Sequence, residues 1–118
     1  MFSGNSSRLD FYLSNFTDVS SLVSAIRNLE YEGGGTNMAA GLRIARTDIF
    51  DTANGDRENV TNVIILVTDG RPDSQPAVFN EARLIKDLGI TVVGVGITTS
   101  VSDRIILGSS FITQGRSR

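Results

Sequence analysis

The sequence contains no cysteine, no histidine and no tryptophan, and Lys86 is its only lysine. Without cysteine and histidine, the chain can form no disulfide, no thiol or Ser-His nucleophile, and no zinc site with thiolate or imidazole ligands. Carboxylate, hydroxyl and backbone oxygens remain, and these hard ligands suit Mg²⁺, Mn²⁺ or Ca²⁺. The composition therefore restricts any metal site to oxygen ligands.

Charge and hydropathy exclude two further classes of protein. Eleven basic and thirteen acidic residues give a net charge of -2 over 118 residues, so no basic surface for nucleic acid is predicted. No apolar run is long enough for a membrane span, and the first residues do not resemble a signal peptide. Three Asn-x-Ser/Thr triplets, at Asn5, Asn15 and Asn59, are possible glycosylation sites and favour an extracellular location.

The segment from Val63 to Val67 is a run of five apolar residues. This run predicts a strand that is buried on both faces, in the middle of a parallel sheet. The strand is followed by Thr68, Asp69 and Gly70, so the Asp69 carboxylate is expected at the carboxyl edge of the sheet, where open α/β sheets bind ligands. The alternative is that Asp69 only opens a turn with Gly70 and Pro72.

The rest of the chain is expected to alternate between strands and helices. The predicted elements are a half-buried strand over 8–13, a helix capped by Thr17 or Asp18 and running to about Leu29, a helix over 38–50, an exposed connection over 51–62, a helix over 75–88 that stops at Gly89, a strand over 90–97 and a short helix over 101–107. A helix between two buried strands predicts a right-handed crossover with parallel strands. No further element is predicted for 108–118.

Three successive glycines, Gly33 to Gly35, precede Thr36 and Asn37 at the predicted start of the second helix. Such a run indicates that the backbone bends sharply or passes very close to another group. A helix amino terminus also attracts anions, but no lysine lies nearby, which argues against a Walker-type nucleotide loop. The simplest interpretation is that Thr36 or Asn37 caps the helix.

Three motifs occur in a fixed order along the chain. They are Glu32-Gly-Gly-Gly-Thr-Asn37, Val63-Ile-Ile-Leu-Val-Thr-Asp-Gly-Arg-Pro-Asp73 and Ala82-Arg-Leu-Ile-Lys-Asp-Leu-Gly-Ile-Thr-Val-Val-Gly-Val-Gly96. Together they resemble the von Willebrand factor type A (vWA) domain, in the style of collagen-associated domains and matrilins. The resemblance covers about residues 2–107 of a single domain, 1–118, with 108–118 as an irregular tail. It implies a doubly wound, Rossmann-like α/β fold with parallel central strands and flanking helices.

The resemblance also implies a metal-ion-dependent adhesion site at the carboxyl edge of the sheet. In the family, this site combines an Asp-x-Ser-x-Ser segment with a threonine from a second loop and an aspartate from a third. Thr36 resembles the threonine and Asp69 the aspartate, and a bound Mg²⁺ or Mn²⁺ would bridge to the ligand. Asp-x-Ser-x-Ser does not occur in this sequence. Only two side-chain ligands are then left for the cation, and water would have to fill most of its shell.

The same resemblance implies that the domain is incomplete and truncated at its amino-terminal end. The first strand and first helix of the family have no counterpart in this sequence. The strand at 63–67 would then have a bare edge. An exposed apolar edge invites self-association or aggregation.

The function predicted from these features is that of a non-enzymatic, secreted module of the matrix or adhesion type. It would bind protein ligands, such as matrix components, at the carboxyl edge of the sheet. The alternative is a metal-free structural or interaction module that contacts partners by another surface. A phosphate- or metal-handling enzyme using Asp69 and the loop 33–35 would lack a second convergent acid, because Asp73 is expected to point along the turn after Pro72.

Overall fold

The computed structural model describes residues 1–3, 6–30, 33–68, 73–96 and 111–113. In chain order its main elements are β1 (Phe2–Ser3), β2 (Ser6–Ser7), α1 (Val19–Arg27), α2 (Met38–Ile44), β3 (Val63–Thr68), α3 (Gln75–Asp87), β4 (Thr91–Gly96) and β5 (Phe111–Thr113). A π-helical turn, Ala45–Ile49, continues α2, and short 3-10 turns lie at Leu13–Asn15 and Thr52–Asn54. In the described part of the chain, no helix is both long enough and apolar enough to span a bilayer.

The central sheet has the strand order β3-β4-β5, and both pairs of neighbours are parallel. β3 and β4 pair along six residues each, from Val63 opposite Thr91 to Thr68 opposite Gly96. α3 connects the two strands and ends shortly before Gly89. The predicted crossover with parallel strands is therefore confirmed, and with it the partial α/β fold in which helices flank parallel strands.

One hydrophobic core joins α2, β3 and α3. Its buried members are Met38, Ala39, Leu42, Leu66, Val78, Ile85 and Ile90. All of them pack on one face of the sheet. The opposite face of β3 is open, because Val63, Ile65 and Val67 are exposed and Ile65 reaches 66% exposure.

The prediction that β3 is buried on both faces is therefore wrong. A continuous apolar run indicates that both faces of a strand are suited to burial. A face is buried, however, only when a second layer of structure packs on it. Among the described residues, α2 and α3 supply this layer on one side only.

The prediction of a strand over 8–13 is also wrong. Arg8 exchanges two backbone hydrogen bonds with Met1, at 2.8 and 2.7 Å, but residues 8–12 form no strand in the described ranges. Leu13–Asn15 form a 3-10 turn. The alternation of apolar and polar residues determines which way side chains point, but a strand also needs a neighbour for its backbone groups. The short antiparallel ribbon of β1 and β2 lies before this segment instead.

The predicted cap of the first helix is confirmed at Asp18. Its Oδ1 accepts a hydrogen bond from the Ser21 N–H at 2.8 Å, and its Oδ2 accepts one from the Ser21 hydroxyl at 2.7 Å. α1 then ends at Arg27, and none of its residues is buried. Within the described structure, the apolar stripe that predicted this helix is therefore half-buried or exposed.

The carboxyl-terminal predictions have two outcomes. The helix expected over 101–107 lies outside the described residues. The expectation that 108–118 carries no regular element is wrong, because β5 pairs with β4 from Phe111 opposite Gly94 to Thr113 opposite Gly96. Three residues are too few to produce a recognisable periodic pattern.

Candidate functional site

Two loops meet at the carboxyl edge of the sheet, one before α2 and one after β3. The Thr36 N–H donates a hydrogen bond of 2.9 Å to Oδ1 of Asp73, and the Asp73 N–H donates one of 3.0 Å to the Thr36 carbonyl. These reciprocal bonds join residues 37 positions apart in the chain. We call this pair of bonds the Thr36–Asp73 clamp, and we call the surface where the two loops meet the rim.

Thr36 and Asp69 are the two site residues predicted from the sequence. The side chain of Thr36 is half-buried at the rim, whereas Asp69 lies outside the described residues, so its position beside Thr36 stays a prediction. Thr68, the residue before Asp69, ends β3 and is only 5% exposed. Thr36 and Thr68 line the same cavity.

The close approach predicted from the glycine run is confirmed at Gly35. A Cβ atom at this position would lie 2.8 Å from Oδ2 and 3.2 Å from Oδ1 of Asp73. Contacts of this length are too short for a side chain, so a glycine allows the Asp73 carboxylate to reach the Thr36 amide.

The prediction that Asp73 points along its own turn is wrong, and Asp73 is the residue of the rim that sequence reasoning missed. Its carboxylate crosses to the other loop, where the Thr36 amide is an available donor. Two sequence features pointed to this contact: an acidic residue follows the end of the strand by a few positions, and a run of glycines indicates that another group lies close to the backbone. Neither feature identifies the other as its partner without the fold.

The choice between two candidate caps for α2 is resolved by the contacts of Asn37. Its Oδ1 accepts a hydrogen bond from the Ala40 N–H at 3.2 Å, and its carbonyl accepts one from the Ser7 hydroxyl at 3.2 Å. Asn37 therefore caps α2, as the sequence allowed, and Thr36 does not serve as the cap.

The described residues fall short of a complete cation site. In the ranges that the structure describes, no three Asp, Glu, His or Cys side chains are grouped so that they could hold a metal ion. At the rim, Thr36 offers one hydroxyl and Asp73 offers a carboxylate that already accepts an amide. Hard divalent cations take about six oxygen ligands or more. A cation here would thus depend on Asp69 and on water.

A cavity of about 970 Å³ runs from the rim along β3. Apolar side chains form most of its wall, including Leu9, Phe11, Ile26, Leu29, Ile65 and Val67. All six residues of β3 line this cavity. Because successive side chains of a strand point to opposite faces, a cavity that touches all of them reaches the edge of the strand. β4 pairs with the other edge, so the cavity lies along the edge of β3 that faces away from β4.

A second polar cluster joins α2 to α3 below the rim. Glu81 is only 3% exposed, and its two carboxylate oxygens accept hydrogen bonds of 3.0 Å from Nε of Arg43 and Nε of Arg46. Burial by itself raises the pKa of Glu81, but the hydrogen bonds and positive charges of Arg46 and Arg43 outweigh it and hold the pKa below its ordinary value. The cluster stabilises the packing of the two helices that carry the rim loops.

Comparison with known proteins gives a consistent picture. A family model described as the von Willebrand factor type A domain matches residues 1–109. The collagen alpha-1(XX) chain of Homo sapiens is 36% identical over 85 residues, which are 72% of this chain and 6% of that protein. Matrilin-1 of Gallus gallus is 33% identical over 101 residues, which are 86% of this chain and 20% of that protein. The chain thus spans a fifth or less of the length of these relatives.

Solved structures with the same fold include proximal thread matrix protein 1 from the mussel byssus. One structure of it has a TM-score of 0.80 and 25% identity, and the match covers 87% of this chain and 27% of that chain. Another, described as having a zinc-occupied MIDAS motif, has a TM-score of 0.79 and 26% identity, with 94% of this chain and 28% of that chain covered.

Proposed function

Because the chain belongs to the von Willebrand factor type A domain family, we propose that it is a non-enzymatic module that binds protein ligands at the carboxyl edge of its sheet. We propose matrix components as the ligands and an extracellular location for the module. The relatives support this proposal, since they include a collagen chain and matrilin-1, and the structural neighbour is named a matrix protein.

The observation that carries the proposal is the meeting of two loops at the rim. The Thr36–Asp73 clamp holds the loop before α2 against the loop after β3, at the edge where parallel sheets present their ligand sites. Thr36 and Asp69 are the residues that we propose to face the ligand. A hydroxyl and a carboxylate at this position suit hydrogen bonds to the polar groups of a protein partner.

A cation bridge is a second form of the same proposal. A related structure with a zinc-occupied MIDAS motif favours it, and Mg²⁺ or Mn²⁺ suits the oxygen ligands of Thr36 and Asp69. The short donor set among the described residues favours the metal-free alternative. The two forms differ in the effect of a chelator on ligand binding.

Binding of the purified chain to immobilised fibrillar collagen tests the proposal. The chain is applied with Mg²⁺, with Mn²⁺ or with EDTA, and Thr36→Ala and Asp69→Ala are compared with Asp87→Ala, an exposed acid at the end of α3. We expect both rim variants to weaken binding roughly tenfold or more, and the Asp87 variant to bind as the parent does. EDTA abolishes binding in the cation-bridged form and leaves it unchanged in the metal-free form.

Equal binding by all variants would contradict the placement of the binding surface at the rim. Isothermal titration with Mg²⁺ and Mn²⁺ gives an independent answer for the cation. In the cation-bridged form, the heat of binding disappears in Thr36→Ala and Asp69→Ala. In the metal-free form, the parent chain itself gives no heat.

We also propose that the chain associates with itself through β3. In the part of the chain that the structure describes, β3 is an outer strand, and its open face carries Val63, Ile65 and Val67. A two-fold pairing of residues 63–67 with the same residues of a second copy, at the edge that faces away from β4, would add backbone hydrogen bonds and cover apolar surface. Sedimentation velocity over a range of concentrations tests this, and a single monomeric species at every concentration would refute it.

A further inference from the structure

We propose that Asp73 is a positioning residue that locks the Thr36 loop onto the loop after β3, so that the rim keeps its binding shape without a bound cation. The proposal rests on the proposed function only in treating the rim as the binding surface. The clamp itself is a pair of hydrogen bonds within this chain, and it can be measured without any ligand.

The first support is the reciprocity of the clamp. Asp73 accepts from Thr36 through its side chain at 2.9 Å, and its own N–H donates to the Thr36 carbonyl at 3.0 Å. Two bonds in opposite directions fix the orientation of the loops as well as their distance. The bond to the carboxylate is charge-assisted, and such bonds are stronger than those between neutral groups.

The second support is the fit of Gly35 to the carboxylate. While Oδ1 receives the Thr36 N–H, Oδ2 fills the space that a side chain at position 35 would need, 2.8 Å from the site of its Cβ. The carboxylate is therefore packed against the bend as well as hydrogen-bonded to it. A larger residue at position 35 would displace this carboxylate.

The third support is the rigidity of what the clamp connects. Asn37, the residue after Thr36, caps α2, and Ser74, the residue after Asp73, caps α3. Both helices are anchored in the core, where Met38 and Val78 are almost fully buried. The clamp thus spans only the short gap between the starts of two helices that are fixed in the core.

In a cation-bridged site, the metal ion itself gathers oxygen atoms from separate loops and holds them together. Here a carboxylate and an amide already join the loops at the rim. Because protein groups make both bonds, the link between Thr36 and Asp73 does not require a cation. This arrangement also predicts that removing divalent ions leaves the rim unchanged.

Hydrogen exchange of the Thr36 amide, measured by NMR in EDTA, tests the clamp. We expect this amide to be protected in the parent chain and to exchange about tenfold faster in Asp73→Ala, because its acceptor is gone. In Asp73→Asn protection should be retained, since the amide oxygen of asparagine can accept the same bond. Asp87→Ala removes an equal charge from the far end of α3 and should have no effect.

The amides of β4, which lies between β3 and β5, report on the global fold in every variant. If Asp73→Ala unfolds the chain, Gly35→Ala provides a second route, because its added methyl displaces the carboxylate and should expose the Thr36 amide in the same way. Thr36 exchange that is unprotected in the parent chain, unchanged by Asp73→Ala in a folded protein, or slowed only when Mg²⁺ is added would overturn the proposal.

The collagen assay separates this inference from the proposed function. If protection of the Thr36 amide depends on Asp73 but the chain does not bind collagen, the clamp is supported and the proposed collagen ligand is contradicted. Binding that persists in EDTA, is lost in Asp73→Ala and is rescued in Asp73→Asn supports both.

Discussion

Glu81 on α3 and Arg46 on the π-helical turn form an ion pair of 3.0 Å, although 35 positions separate them. Arg43, one helical turn earlier, binds the other oxygen of the same carboxylate. Glu81 is almost fully buried, and the two guanidinium groups reach it from the more exposed side. The carboxylate is therefore the centre of the contact between α2 and α3, the two helices that position the rim.

Replacing Glu81 with glutamine should lower the free energy of unfolding by about 1–2 kcal/mol. The buried side chain would lose its charge, and its charge-assisted hydrogen bonds would be replaced by weaker ones. Urea unfolding followed by circular dichroism measures the difference. Glu58→Gln, at an exposed loop position, is the matched control and should shift the free energy by less than about 0.5 kcal/mol. An equal loss in both variants would show that Glu81 contributes no more than a surface acid.

The same ion pairs predict a loss of stability in acid. The pKa of Glu81 is lower in the folded chain than its ordinary value of 4.5. The stabilisation is therefore complete above that value, and it is lost as the pH falls through the folded pKa. We expect the difference in unfolding free energy between the parent chain and Glu81→Gln to shrink from pH 7 to pH 3. A difference that stayed constant or grew over this range would contradict the assignment.

Local sequence signals predicted the start of each main helix and the parallel pairing of two strands. Asp18 and Asn37 cap their helices because a short polar side chain before an apolar stripe satisfies the first free amides. The parallel relation of β3 and β4 follows from the length of the connection through α3. These features depend on neighbours in the chain, so the chain alone is enough to predict them.

The predictions that failed concern features that depend on groups distant in the sequence. The apolar run of β3 could not reveal that Ile65 would remain exposed to solvent, because its exposure depends on whether another layer covers the sheet. The alternation around Phe11 could not supply a partner strand. The role of Asp73 needed the knowledge that Thr36 lies opposite, and this follows only from the fold.

Gly55 should be far less tolerant of substitution than Gly89. It has a φ of 98°, and an added Cβ would lie 2.7 Å from the Ser14 backbone nitrogen. Gly89 has a similar φ of 76° but no atom within 4 Å of the added Cβ. Both alanine variants are destabilised by about 1–2 kcal/mol because alanine is strained in a left-handed backbone conformation. Only Gly55→Ala also introduces a steric clash.

Chemical denaturation of the two glycine variants measures that difference. We expect Gly55→Ala to lose at least about 1 kcal/mol more than Gly89→Ala, because backbone atoms of residue 14 must move to make room. If the two variants lost the same stability, the contact between residues 14 and 55 would be too loose to matter.

Ile65 is the residue at which self-association through β3 is most easily broken. It lies in the middle of the strand, opposite Val93 of β4, and its side chain belongs to the open apolar face. A lysine there would place a charge in the centre of any strand pairing or apolar contact, a device by which natural edge strands avoid one another. We expect Ile65→Lys to remain monomeric at concentrations where the parent chain associates.

Phe79→Lys is the matched control for this substitution, since it replaces a similarly exposed apolar residue on α3, away from the cavity along β3. Sedimentation velocity should show association in the parent chain and in Phe79→Lys, and a monomer in Ile65→Lys. If both lysine variants reduced association equally, general surface hydropathy would explain it and the edge of β3 would not. If only Ile65→Lys did so, the association would depend on β3.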